Sequence, residues 1–110
     1  MGLPAKVISM EEHRKPGPHL EDGYTRIANE LFDAVLKKLT SYRHIKVVLG
    51  ILRKTYGYQK KEDDITISQL AELTGIHRNN VGAAIKDLEQ MRVINPVRAG
   101  SYGLMIGINK

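Results

Sequence analysis

Apolar residues recur at helical spacing along most of the chain, separated by short polar intervals. Ile27, Leu31, Ala34, Val35 and Leu39 repeat every three or four positions, with Glu30 and Asp33 early and Lys37 and Lys38 late, an order that complements a helix dipole. A first helix is predicted, ending near Thr40. Ser41 is placed to cap a second, in which Ile45, Val48, Leu49, Leu52 and Tyr56 form a stripe before Gly57 supplies a stop. Residues 58–64, YQKKEDD, then read as a polar loop.

The stretch 65–91, ITISQLAELTGIHRNNVGAAIKDLEQM, has a finer pattern. Thr66 and Gln69 stand at capping-box spacing, and Ile65 and Leu70 are placed for the hydrophobic staple. Leu70 and Leu73 are expected to face inward, and Ala71 is small enough for a second helix to approach closely. Thr74-Gly75 supplies a turn, since glycine takes the positive φ that ends a helix, and Ile76 closes that turn over the core. Beyond it, Val81, Ala84, Ile85 and Leu88 share one face and leave Arg78, Asn79, Asn80, Gly82, Ala83 and Lys86 outward. This spacing is that of a helix-turn-helix. After Met91, two β-prone segments flank the turn Arg98-Ala99-Gly100-Ser101 and predict a hairpin, with Ile65 and Thr66 available as a third short strand. The expected fold is mainly α with a small β component, a winged helix-turn-helix over residues 23–110. Residues 1–22 contain Pro4, Pro16, Gly17 and Pro18, follow neither period, and read as a flexible N-terminal arm.

Composition narrows the function. The 110 residues are about one domain, and 42% hydrophobic with 26% charged residues is globular composition. The absence of cysteine excludes a disulfide framework, a thiolate zinc site and a cysteine nucleophile, and fits an intracellular protein. The apolar runs are too short for a membrane span, so a cytoplasmic location with no membrane partner is expected. His13, His19, His44 and His77 have no ligand spacing, and neither a phosphate-cradling glycine loop nor a His-Glu-x-x-His pair is present. No enzyme activity, metal or cofactor is expected.

Charge then separates the two parts of the chain. The net charge is +5, and the arm contributes −1, so residues 23–110 carry +6, a balance suited to a polyanion. In a helix-turn-helix the second helix projects its N-terminal residues into the major groove. Arg78, Asn79 and Asn80 occupy those positions; Arg pairs with guanine O6 and N7, Asn with adenine N6 and N7, and Lys86 is suited to phosphate. Arg98, near the hairpin tip, and Tyr102 are candidate contacts to backbone or minor groove. Arg43, Lys46, Arg53 and Lys54 share one arc of the second helix, either a solvated face or a phosphate-facing one. Glu62, Asp63 and Asp64, beside Lys60 and Lys61, read as an exposed charged turn rather than a metal or acid–base site.

Three segments go beyond generic patterning: GYTRIANEL at 23–31, ILRKTYGYQKKEDDITISQLAELTGI at 51–76, and the closing IGINK. Together they resemble the origin-binding domain of the bacteriophage replication protein O family, of the lambda O type, over residues 23–110. The resemblance implies sequence-specific binding of double-stranded DNA at repeated sites in a phage origin, as a homodimer, to initiate replication in the host cytoplasm at the nucleoid. It also implies that a separate C-terminal region engages the helicase loader and the host replicative helicase, so the chain reads as the DNA-binding half of an initiator. A winged-helix transcriptional regulator shares the residue-level features and is the alternative. Two positions depart from the family pattern. His77 stands where a capping Ser is common and is expected to be a poorer cap, available to phosphate instead; Gly82 and Ala83 replace longer polar side chains on the outward face.

Overall fold

The computed structural model describes residues 23–109; the arm predicted over 1–22 lies outside the described residues. The chain folds in the order α1 (Asn29–Lys38), α2 (Tyr42–Thr55), β1 (Glu62–Ile65), α3 (Ile67–Thr74), α4 (Arg78–Gln90), β2 (Arg98–Ala99) and β3 (Leu104–Gly107). It is mainly helical with one small sheet, as the periodicity predicted.

The second helix is the centre of the packing. Val47, Val48, Ile51 and Leu52 are each at most 1% exposed, because α2 touches α3, α4 and the sheet. Thr55 is buried with them and its hydroxyl donates to the Ile51 carbonyl at 2.8 Å, so the polar atom is satisfied within the helix. This face is displaced from the predicted stripe: Leu49 is 42% exposed and Tyr56 half-buried, whereas Val47 and Ile51 are core. Each residue advances about 100° around a helix, so several overlapping stripes fit one apolar-rich segment, and the position of α3 and α4 decides which is used.

The local stop and start signals differ from expectation at this helix. Ser41 holds the N-cap position in extended conformation, but its side chain makes no capping bond. The helix runs instead into a 3-10 turn, Tyr56–Tyr58, and the left-handed residue that ends it is Gln59, at φ 60°, rather than Gly57.

The predicted polar loop 58–64 is half strand. Glu62, Asp63 and Asp64 belong to β1 with Ile65, and Thr66 lies beyond it as the cap of α3. Acidic residues have poor intrinsic strand preference, so β1 exists through its partner. It pairs antiparallel with β3, Glu62 opposite Gly107 and Ile65 opposite Leu104, and β3 pairs with β2 on its other side. The hairpin is shorter than predicted. Its first strand is only Arg98–Ala99, and before it Ile94 makes an isolated bridge to Ile108. The inward residues Ile65, Ile94 and Ile106, each 1% exposed, close the core beneath the helices.

Candidate nucleic-acid interface

α3 and α4 are joined by a turn that the sequence encodes locally. At the start of α3 the Thr66 hydroxyl accepts from the Gln69 amide at 3.0 Å and the Gln69 side chain accepts from the Thr66 amide at 2.9 Å, a complete capping box. At its end the Thr74 hydroxyl donates to the Leu70 carbonyl at 2.6 Å, and Gly75 takes φ 75° with its amide donating to Ala71. Leu70 and Ile76 pack inward as expected. Leu73 does so only in part: it lies beside Gly50 and Leu49 of α2 but is 47% exposed.

His77 holds the N-cap position of α4, and its side chain caps the helix. Its Nδ1 accepts from the Asn79 amide at 3.1 Å, so the imidazole is the N-cap. That bond requires an unprotonated Nδ1, which leaves Nε2–H as the outward donor.

Along α4, Val81, Ala84, Ile85 and Leu88 are buried, and Arg78, Asn79, Ala83 and Lys86 are exposed, as the pattern predicted. Arg78, Asn79, Gly82, Ala83 and Lys86 line one side of an open groove whose other side is Val97 and Leu104 of the hairpin region. Three of the predicted contact residues, Arg78, Asn79 and Lys86, are thus brought together. Asn80 is not among them and is half-buried, because it lies about 200° around the helix from Arg78, on the flank next to Ala84. Gly82 forms part of the groove's floor, and a Cβ added there would meet only Ile67 Cδ1, at 3.8 Å. Helix packing does not require this glycine.

Electrostatics sort the remaining candidates. Arg98 is in strand β2, not at the hairpin tip, and its guanidinium donates to both oxygens of Glu62, at 3.3 and 3.0 Å. The hydrogen bonds and the charge of Glu62 hold the Arg98 pKa above its ordinary value. The register makes this bidentate pair possible: Arg98 faces Met105, two residues from Gly107, the partner of Glu62, so the guanidinium crosses the sheet diagonally. A paired Arg98 is part of the sheet's own cohesion. At the tip itself Tyr102 is 87% exposed. On α2, Arg43, Lys46 and Arg53 are exposed and Lys54 is half-buried, with Arg43 lying 5.5 Å from the Tyr42 ring centroid.

Sequence reading missed Asp64. Its carboxylate accepts from the Tyr102 amide at 2.8 Å and the Gly103 amide at 2.7 Å, holding the β2–β3 turn from beneath. The Tyr102 amide is the strongest cause drawing the Asp64 pKa below its ordinary 3.8; desolvation opposes it, and the Gly103 and Ser101 amides add to it. Gly100 is required by the same arrangement, because a Cβ there would overlap the Asp64 carboxylate. A second carboxylate, that of Glu89 on α4, accepts from the Val97 amide at 2.8 Å and ties the chain leading into β2 to the helix. The hairpin region beside the groove is therefore held by two carboxylates, and one of them, Glu89, also lines the groove.

Among the described residues no helix is long and apolar enough to cross a membrane. The model for the family described as bacteriophage replication protein O matches residues 18–110. The chain is 39% identical over 103 residues to the DNA replication protein gp18 of Salmonella phage P22, covering 94% of this chain and 35% of that protein. It is 41% identical over 91 residues to replication protein O of Escherichia phage lambda, covering 83% and 26% respectively. Replication protein 15 of Enterobacteria phage phi80 is 30% identical over 113 residues, covering 99% and 37%. The chain thus spans between 26% and 37% of the length of these relatives. No solved structure matches it significantly. With nearly the whole chain matched, it belongs to the bacteriophage replication protein O family.

Proposed function

We propose that residues 23–109 form a winged-helix module that binds double-stranded DNA sequence-specifically at a phage origin, with α4 as the reading helix and the β2–β3 hairpin as the wing. The observation that carries this reading is the groove face of α4. It presents Arg78, Asn79 and Lys86 together over the small residues Gly82 and Ala83, on a helix whose N-terminus is capped. Arg78 and Asn79 supply the donor and acceptor patterns that distinguish guanine and adenine edges, and the small floor lets the helix backbone sit close to the bases. Lys86, eight residues along α4 from Arg78, suits a flanking phosphate. The relatives are named as phage replication proteins, which favours an initiator over a winged-helix transcriptional regulator with the same geometry. In this reading the protein works in the host cytoplasm as a homodimer and catalyses no reaction itself. The helicase loader and replicative helicase are engaged by other parts of the full-length initiator.

Two substitutions test the roles separately by mobility shift. Arg78→Ala is expected to cost about 1–3 kcal/mol on an origin repeat and to relax specificity at one base pair. Lys86→Gln is expected to weaken binding to all duplexes alike and to reduce the salt slope by about 1. Equal losses on repeat and random duplex from Arg78→Ala contradict its role as a reader.

A further inference from the structure

A second concentration of chemistry lies away from α4. At the end of α2 a cleft is lined by Tyr24, Arg26, Tyr56, Gly57, Lys60 and Lys61, and Tyr58, another of the chain's five tyrosines, follows Gly57 on the same 3-10 turn. Tyr24 is 67% and Tyr58 57% exposed, a large aromatic surface to leave in water. The Arg53 guanidinium lies 5.4 Å from the Tyr58 ring centroid and also reaches Gly57, where an added Cβ would meet its Nη1 at 3.0 Å and Thr25 Oγ1 at 3.1 Å. Arg53 and Tyr58 thus flank the cleft beside Gly57, which lines it.

The nearby carboxylates do not neutralise it. Glu62 is held by Arg98, and Asp63 draws only Lys60, at 3.4 Å. Arg26 and Lys61 make no ion pair among the described residues. The cleft is also separate from the α4 groove. It precedes Glu62, at one end of β1, whereas the hairpin turn sits at the other end, beside Asp64 and Ile65.

We infer that this cleft is a second nucleic-acid site, one that takes a single strand: bases stack on Tyr24 and Tyr58, and Arg26, Arg53 and Lys61 follow the phosphates. A duplex keeps its bases stacked on one another and has no use for exposed rings, whereas an unpaired strand offers a π-face at every base and a phosphate between each pair. The α4 groove has a different make-up: Arg78, Lys86 and Asn79 stand with Glu89 and aliphatic side chains, and no aromatic residue lines it. The inference goes beyond the duplex-binding reading and stands on different residues.

The test is fluorescence anisotropy of a labelled oligo(dT) of about 15 nucleotides, titrated with the full chain at low salt. The wild type is expected to bind it, and Tyr24→Ala with Tyr58→Ala to lose about tenfold or more in affinity, while the corresponding Phe pair retains it. Arg26→Gln and Lys61→Gln, surface changes that leave the core untouched, are each expected to reduce the salt slope by about 0.7. Arg78→Ala is expected to leave oligo(dT) affinity unchanged, so failure of duplex recognition and failure of this site read out separately. No oligo(dT) binding by the wild type overturns the inference. So does unchanged affinity in the folded Tyr→Ala pair, or an equal loss from Arg78→Ala.

Discussion

Gly82 interrupts an otherwise well-formed helix at a position where a side chain has room, 3.8 Å from its nearest neighbour. Its cost is intrinsic, about 1 kcal/mol relative to alanine in a helix interior. Gly82→Ala is therefore expected to raise the stability of the domain by about 1 kcal/mol in urea denaturation and to weaken duplex binding, because the new methyl stands on the floor of the groove. Stability gained with DNA affinity unchanged contradicts a role for that floor. The residues around it show how far sequence reaches at this scale. The spacing placed His77 at the start of α4, but that Nδ1 is the acceptor depends on ring orientation, which spacing does not encode. Asn80 is the sequence neighbour of Arg78 and Asn79, but the helical angle carries it to the flank.

At the scale of elements, the local signals were legible and the distant ones were not. The capping box of α3 and the glycine after Thr74 act within a few residues, and both stand where the pattern put them. The hairpin is different. What sets its turn is Asp64, 38 and 39 residues from the amides it accepts, a pairing that arises only once β1 lies beside β3. The same non-local pairing turned Glu62 and Asp63 from a charged loop into a strand and took Arg98 out of the solvent-facing set. The ionised Asp64 carboxylate is stabilised by folding, since its pKa is held below 3.8. Its contribution is complete above the ordinary carboxylate range and is lost as pH falls through the lowered value. Amide resonances of Tyr102 and Gly103 are expected to shift in acid with a midpoint below that of an unperturbed aspartate. Asp64→Asn, which keeps the shape and removes the charge, is expected to speed hydrogen exchange at these amides and to leave the buried amides of α2 unaffected. Exchange at Tyr102 and Gly103 identical to the wild type contradicts the Asp64 anchor.

In the whole molecule, α2 joins everything: it packs on α3, α4 and the sheet, and His44 on its first turn lies 3.1 Å from Asp87 of α4. This frame fixes the orientation of α4 and leaves its groove face free of packing duties. The net charge of +5 acquires a distribution from it. Arg78 and Lys86 face the groove, Arg98 is engaged within the sheet, and Arg26, Lys60 and Lys61 line the cleft at the far end of β1. Specific duplex recognition by the groove face is the central claim. Its most direct test is a titration of the 110-residue chain against a phage-origin repeat and a scrambled duplex of equal length, across a salt series. The repeat is expected to bind about a thousandfold or more tighter, with affinity for both falling steeply as salt rises. Equal affinity for the two duplexes at every salt concentration contradicts it.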